Sequence, residues 1–292
     1  MKKLIAFVLI LSVCLCGCAK KQQPVSVVTT SFAAYDWARQ ILGDEIDKVT
    51  LTLIGQGSKP HSYTPTEQDI ALIKNCDIFI YVGNEKWAND IELKKSAQSL
   101  CFLDSLDSAL LQSTKSGAVD SHVWLSIQNA QILSNLVCNT LKLAIPQKEL
   151  VFADNLERLA LQLVSLDKEY RAVMQNEQNG TVVVCDKFPF KYLFCDYNVG
   201  WYSAFSDCTE SNEVSADTVT ALARAIDEQR LKNVVTTEFS GDSLAKAVIL
   251  KTADQNVGVV TLNSMQMADI NSTYVEIAKN NLNALKQAFE TR

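Results

Sequence analysis

Residues 25–30, Val-Ser-Val-Val-Thr-Thr, form a β-branched run that leads into a helical pattern over Phe32–Leu42, which stops at Gly43. β-Branched residues favour strands, and apolar residues spaced three and four apart predict a helix. The same order of elements then recurs, with further predicted strands at 49–54 and 77–82. Strands that alternate with helices predict a mostly parallel sheet flanked by helices on both faces.

The alternation is interrupted once and then starts again. Helical spacing over residues 128–145 ends at Pro146, and a second helical pattern continues from about 147 to 176. A helix of about 30 residues is roughly 45 Å long, which exceeds the width of a small domain. We therefore expect this helix to connect two lobes. Beyond it, the predicted strands are 181–185, 233–237 and 257–262, and the predicted helices are 215–230, 242–253 and 273–289.

The sequence thus predicts an α/β fold of two Rossmann-like lobes joined by one long bridging helix. Each lobe is expected to be a mostly parallel sheet flanked by helices. The predicted boundaries are 25–146 for the N-terminal lobe, 147–180 for the bridging helix and 181–292 for the C-terminal lobe.

The N-terminus has the features of an exported and lipidated protein. Two lysines precede an apolar run over residues 4–16, which is too short for a membrane-spanning helix of about 20 residues. The end of this run, Leu15-Cys16-Gly17-Cys18, resembles a bacterial lipobox, in which the last cysteine is lipidated. We therefore predict a signal peptide over 1–17, a lipidated Cys18 with a tether over 18–24, and anchoring to the extracellular face of the cell membrane.

Composition restricts the partners and leaves six cysteines beyond the anchor. Hydrophobic residues make up 48% of the chain, and the net charge is −6. This acidic balance argues against a nucleic-acid partner, which requires a basic face.

An exported protein can oxidise its cysteines, and Cys195 and Cys208, on either side of a turn-rich segment, are the predicted disulfide pair. Spacing alone does not determine the pairing of the six.

The chain contains only two histidines, and both lie in predicted loops. His61 follows the strand at 49–54, and Pro60 before it stiffens the loop. His122 comes two residues after Asp120, just before a helix. In α/β sheets ligands bind at the loops that follow strands, and imidazole oriented by a carboxylate is a common metal ligand. The two histidines therefore predict half of a metal site.

The C-terminal lobe has four candidate ligands for the other half. Cys185 and Asp186 come at the end of its first strand, Glu238 follows the next predicted strand, and Asn263 follows the last one. Thiolate, carboxylate and amide oxygen can all bind metals. Asp186 and Glu238 could instead cap the turns in which they lie. The residues alone do not decide between these roles.

A set of motifs resembles one family, the zinc- and manganese-specific substrate-binding proteins of ABC importers. The motifs are the loops at 57–66 and 120–125, the segment 83–87 (Gly-Asn-Glu-Lys-Trp), the long helix, residues 238–240 and residues 280–285. The resemblance implies that one metal ion binds between the lobes. It also implies that His61 and His122 are the ligands of the N-terminal lobe.

The C-terminal lobe departs from the pattern of that family at both expected ligand positions. Alignment on Phe188-Pro189-Phe190 places Cys185, followed by Asp186, where the family has histidine or glutamate. Asn263 stands where the family usually has aspartate. Residues 186–192 are similar to a divergent branch, whose third ligand the resemblance does not assign.

Ligand chemistry favours zinc among the transition metals. Two imidazoles with a thiolate or carboxylate suit tetrahedral Zn²⁺. Mn²⁺ prefers more oxygen ligands, and Asn263 in place of aspartate removes one of them. We therefore expect Zn²⁺, with Mn²⁺ as the next choice, and Glu238 could complete the ligand set directly or through water.

The resemblance implies a monomeric solute-binding lipoprotein that captures the metal and delivers it to an ABC permease, with no enzymatic turnover. One alternative is a metal-binding surface adhesin or metallochaperone without a transport role. A metal-dependent hydrolase is less favoured, because it requires an open coordination position and a general base. The chain has no His-Glu-Xaa-Xaa-His motif, and two histidines cannot form a three-histidine centre.

Zinc affinity should fall below about pH 6, because imidazole must lose its proton to bind a metal. We expect titrations of the protein with zinc to give clearly weaker binding at about pH 5 than at about pH 7.5. Equal affinity at both values would contradict a site that contains His61 and His122.

Overall fold

The computed structural model describes residues 24–57, 63–176, 180–208, 213–239 and 241–292. Two four-stranded sheets organise these residues. The first sheet contains β1 Val25–Thr29, β2 Val49–Leu53, β3 Ile78–Tyr81 and β4 Gln98–Cys101. The second contains β5 Thr181–Val184, β6 Gly200–Ser203, β7 Asn233–Thr237 and β8 Gly258–Leu262.

The two sheets share one topology. Their strand orders are β2-β1-β3-β4 and β6-β5-β7-β8, and every pairing between these strands is parallel. In each lobe the first strand therefore lies between the second and the third. All carboxyl ends of a sheet consequently meet at one edge, where the loops that carry ligands are found in such folds. The predicted α/β fold of two mostly parallel sheets is confirmed.

Two strands were not predicted from the sequence. β4 reads Gln-Ser-Leu-Cys and β6 reads Gly-Trp-Tyr-Ser, and both are four-residue strands at sheet edges. Neither contains a β-branched residue, and the two aromatic residues of β6 are too short a run to predict a strand by themselves. Pairing with the neighbouring strand forms them instead, and β6 is held to β5 from Thr181↔Gly200 to Val184↔Ser203.

Helices connect the strands and cover the sheets. They are α1 Phe32–Leu42, α2 Glu67–Asn75, α3 Phe102–Ser105, α4 Ile127–Ala144, α5 Glu149–Asn176, α6 Lys191–Asp196, α7 Ala216–Gln229, α8 Ser243–Ile249 and α9 Tyr274–Ala288. Short 3₁₀ turns occupy Gly43–Lys48, Lys86–Asp90, Ser108–Leu110, Val123–Leu125 and Pro146–Lys148. No helix in the described ranges is long and apolar enough to cross a membrane.

Hydroxyl side chains fix where several helices begin. Ser31 accepts a hydrogen bond from the Ala34 amide at the start of α1, and Ser126 accepts one from Asn129 at the start of α4. Each cap satisfies an amide that has no partner within the helix. Because α1 follows β1 and α4 follows the loop of His122, these caps also fix the ends of two loops at the edge of the first sheet.

The long helix α5 contacts both lobes. It contains 28 residues, about 42 Å at 1.5 Å per residue, and it packs on α1 and α4 of the first lobe and on α9 of the second. Its buried face includes Leu163, Leu166 and Tyr170, and the Tyr170 hydroxyl donates to the Ala278 carbonyl at 2.7 Å. The predicted long helix is confirmed, and it packs into an apolar core that extends across both lobes.

Polar side chains of α1 also join the two lobes. Arg39 donates to the carbonyls of Ile270 and Ser272 at 2.8 and 2.5 Å. The buried Asp36 carboxylate accepts from the Tyr274 amide at 2.8 Å and pairs with Arg39. The start of α9 is therefore tied to a helix of the opposite lobe.

Replacing Leu163 by alanine should destabilise the protein much more than the same change at Leu161, two residues earlier in α5. Leu163 is completely buried, whereas Leu161 is 64% exposed. We expect the free energy of unfolding to fall by about 2–5 kcal/mol for Leu163→Ala and by less than about 0.5 kcal/mol for Leu161→Ala. Urea unfolding of the two variants measures the difference, and equal losses would show that α5 does not pack as described.

Candidate metal centre

A cavity of about 50 Å³ lies between the two lobes. The first lobe lines it with residues that follow β1, β2 and β3, among them Thr30, Gly57 and Glu85. The second lobe contributes residues 265–268, which follow β8. Ser121, next to His122, belongs to the same wall. The cavity therefore lies at the carboxyl edge of parallel strands, where the fold predicts a ligand.

His122 is held in one orientation by Asp120. Its backbone amide donates to Asp120 Oδ1 at 2.9 Å, and its ring Nδ1 lies 2.7 Å from the same oxygen. Both side chains are almost fully buried. A carboxylate at Nδ1 favours the tautomer with its proton there, which leaves Nε2 available for a metal. This confirms the arrangement of carboxylate and imidazole that the sequence indicated.

Asp120 is itself fixed by neighbours from both lobes. Its amide donates to the Gln112 carbonyl at 2.8 Å, and its carbonyl accepts from the Tyr192 hydroxyl at 2.8 Å. The same hydroxyl accepts from the Gln112 amide at 3.0 Å. Since Tyr192 belongs to α6, the second lobe helps to position the carboxylate that orients His122.

Cys208 is a second-lobe side chain that forms a hydrogen bond with His122. It is buried in the loop after β6, and its sulfur accepts a hydrogen bond from Gln266 Nε2 at 3.8 Å. Burial alone would lower the pKa of His122, but its hydrogen bonds with Asp120 and Cys208 outweigh burial and raise that pKa to about 10. A metal that binds His122 must therefore displace a proton, so acid should begin to weaken zinc binding well above the pH of about 6 expected for an ordinary imidazole.

The predicted disulfide between Cys195 and Cys208 is wrong. All six cysteines in the described part of the chain are free thiols. The Cys195 thiol is exposed on α6 and lies 3.7 Å from Gln112 Oε1, whereas Cys208 faces His122 and Gln266. The two sulfurs have different neighbours, so the short sequence separation did not bring them together.

The buried Asp186 and the half-buried Glu238 lie near each other in the second lobe. Asp186 Oδ2 accepts from the amide and the hydroxyl of Thr237 at 2.8 and 2.5 Å. Both oxygens of Glu238 accept from Ser264, at 2.9 Å from its amide and 2.6 Å from its hydroxyl. Burial raises the pKa of Glu238, and the nearby Asp186 charge adds to that effect. Each carboxylate therefore already holds the loop beside it.

The side chains of Cys185 and Asn263 contact other parts of the second lobe. Cys185 is buried in an apolar cluster with Leu222 and Ile226, and burial raises the pKa of its thiol to about 12. Asn263 Oδ1 accepts from the Met265 amide at 2.7 Å, and its backbone N–H and carbonyl bond to the Asn281 side chain. Asn263 thus shapes the turn after β8.

Of the six predicted ligands, five can be placed. His61 lies outside the described residues, as does Cys18, although Gly57 and Tyr63 on either side of 58–62 both line the cavity. Within the described ranges no three His, Cys, Asp or Glu side chains are grouped closely enough to hold a metal ion. Instead the structure brings Asp186 near Glu238 and brings His122 to Cys208, a residue that the sequence analysis had not named as a ligand.

A signal for Cys208 was present but weak. It follows a strand of the second lobe at its carboxyl end, as a ligand would. That strand, β6, carries no β-branched residue, so the loop after it was not identified as part of the sheet edge. The short separation from Cys195 across a turn-rich segment instead favours a disulfide.

The chain has two sheets of the same topology, a cavity between the lobes and a buried imidazole held in one orientation beside it. These features are typical of a two-lobed binding protein. Residues 27–288 match the family described as zinc-uptake complex component A, periplasmic, and the chain belongs to this family. It is a family of substrate-binding proteins of transporters, so the prediction that the protein is not an enzyme is confirmed.

Relatives of known name support the same family. The zinc-binding lipoprotein AdcA of Streptococcus pneumoniae R6 is 26% identical over 305 residues, which cover 94% of this chain and 58% of AdcA. The zinc-binding protein AdcA of Streptococcus pyogenes serotype M1 is 22% identical over 289 residues, which cover 90% of this chain and 55% of that protein. The chain therefore spans little more than half the length of these relatives.

Solved structures share the fold. The periplasmic zinc-binding protein TroA of Treponema pallidum superposes with a TM-score of 0.77 at 22% identity, covering 92% of this chain and 99% of TroA. The Zn(II)-bound ZnuA-like domain of Streptococcus pneumoniae AdcA gives 0.73 at 24% identity, covering 90% of this chain and 98% of that domain.

Replacing Asp120 by asparagine should weaken zinc binding by about 10- to 100-fold, because the group that orients the imidazole is lost. Calorimetric titration of the folded variant measures the effect, with thermal unfolding as the check on folding. Asp90→Asn, at an exposed position, is the matched control and should bind zinc like the wild type. Unchanged affinity in Asp120→Asn would show that this carboxylate does not act on the metal.

Proposed function

We propose that this chain captures a divalent transition metal between its two lobes, Zn²⁺ in preference to Mn²⁺, and delivers it to the permease of an ABC importer. The observation that carries the proposal is the buried His122, whose Nδ1 is engaged by Asp120 next to the interlobe cavity. The zinc-uptake family and the zinc-binding names of the relatives support it. The metal is cargo: its bonds to the ligands form on capture and break on delivery, and the ion itself is unchanged.

The proposed ligands of the first lobe are His61 and His122. In the second lobe Asp186 and Glu238 are the better placed of the four sequence candidates, because they lie together at the ends of neighbouring strands. Each carboxylate has further lone pairs beyond the hydrogen bonds that it accepts. Cys185 faces an apolar cluster, and the Asn263 side chain is used within its own turn, so they rank lower.

We also propose that the protein is a monomer held at the extracellular face of the cell membrane through a lipid on Cys18. Two relatives are named as lipoproteins, the pneumococcal AdcA and MtsA of Streptococcus pyogenes, the latter 27% identical over 191 residues. Two acyl chains on one cysteine suffice for stable anchoring. This location places the cavity where it can meet metal ions outside the cell.

Metal analysis of the purified protein tests the proposal. We expect the protein to retain stoichiometric zinc, and His61→Ala and His122→Ala to lose most of it, because each removes a nitrogen ligand. Asp186→Ala should lower zinc occupancy if this carboxylate is a ligand. Asp90→Ala removes an exposed carboxylate that does not line the cavity and is the matched control for Asp186→Ala.

Zinc occupancy of the two histidine variants decides the proposal. If zinc occupancy stayed at the wild-type level in His61→Ala and in His122→Ala, the metal site would lie elsewhere and the proposal would fail. Genes for a permease and an ATPase next to the gene of this protein would favour import over an adhesin or metallochaperone.

A further inference from the structure

We infer that Cys208 is a metal ligand, the thiolate that the second lobe contributes opposite His122. The inference rests on the proposed function, since it names a ligand of that site. It adds a residue that the match to the family does not assign.

The position of Cys208 suits a ligand that joins the lobes. The residue follows the edge strand β6, at the carboxyl edge of the second sheet. It is 7% exposed, and it contacts His122 of the first lobe on one side and Gln266 of the second on the other. Gln266 itself lines the interlobe cavity. The thiol therefore lies next to a residue of the cavity wall and at the boundary between the lobes.

The contact with His122 involves the ring nitrogen that binds metals. Asp120 already occupies Nδ1 at 2.7 Å, so Nε2 is the atom left to face the Cys208 thiol. With Zn–N near 2.0–2.1 Å and Zn–S near 2.3 Å, a tetrahedral zinc ion holds its nitrogen and sulfur ligands about 3.5 Å apart. That separation is also typical of a hydrogen bond to sulfur. An imidazole and a thiol in such contact therefore need little rearrangement to bind one ion between them.

The other cysteine near the strand ends is not placed for this role. The Cys185 thiol lies on the face of the sheet that packs against α7 and α8, among Leu222, Ile226 and Val234. The carboxylates of Asp186 and Glu238 bond to Thr237 and Ser264. Cys208 is the described sulfur in contact with the imidazole of the opposite lobe.

A thiolate ligand has a consequence for the choice of metal. Sulfur is a soft ligand that favours Zn²⁺ over Mn²⁺. The site would thus select zinc through a residue outside the ligand positions that the sequence analysis assigned.

Spectroscopy of the cobalt-substituted protein tests the inference. Co²⁺ bound by a thiolate gives an intense sulfur-to-metal charge-transfer band in the near ultraviolet. We expect this band in the wild type and in the control variants Cys185→Ser and Cys195→Ser, and its loss in Cys208→Ser. Zinc affinity should fall at least tenfold in Cys208→Ser, whereas Mn²⁺ affinity should change much less.

A second measurement needs no variant and covers the case in which Cys208→Ser does not fold. X-ray absorption at the zinc edge of the wild-type protein should show a sulfur neighbour at about 2.3 Å. Stoichiometric zinc binding without a sulfur neighbour, or a charge-transfer band that persists in Cys208→Ser, would overturn the inference and leave the proposed function standing. A wild-type protein that binds no zinc or cobalt would overturn both.

Discussion

The hydrogen bond from the Trp124 indole to the Ser264 carbonyl, at 2.9 Å, fixes how the two lobes meet. Trp124 also accepts a hydrogen bond at its own carbonyl from the Tyr274 hydroxyl at 2.7 Å. One buried residue of the first lobe is thereby tied to the turn after β8 and to the start of α9. Its ring lies edge-on to His122, 5.4 Å between centroids, so the contact that joins the lobes also supports the candidate ligand.

A network of side-chain hydrogen bonds extends from Ser264 across the boundary between the lobes. Glu238 accepts from Ser264, whose hydroxyl accepts from Gln266 at 3.0 Å, and Gln266 also donates to Cys208. Cys208 meets His122, which is held by Asp120. Buried polar groups that satisfy one another in this way define a single arrangement of side chains. Separation of the lobes would break this hydrogen-bond network at the contact between Cys208 and His122.

The sequence predicted the fold better than the contact that the second lobe makes with His122. β-Branched runs identified six strands, and the scarcity of histidine identified His122. The alternation of side chains along β5 also carries information, because Val182 and Val184 face one core and Val183 faces the cluster that contains Cys185. What sequence could not supply was β6, whose four residues form a strand only by pairing with β5. Without that strand, the loop of Cys208 had no place in the sheet.

The division of the proposed site between the lobes would give metal binding a mechanical effect. His122 and Asp120 belong to the loop before α4, and Cys208 belongs to the loop after β6. An ion bound to His122 and Cys208 would therefore connect two lobes that otherwise meet through hydrogen bonds and the shared core. A ligand stabilises the arrangement that it binds by its differential affinity for that arrangement. An ion that prefers sulfur and nitrogen together would therefore favour the joined lobes. An ion that prefers oxygen would gain less from closing them. Selectivity and lobe closure would then depend on the same pair of atoms.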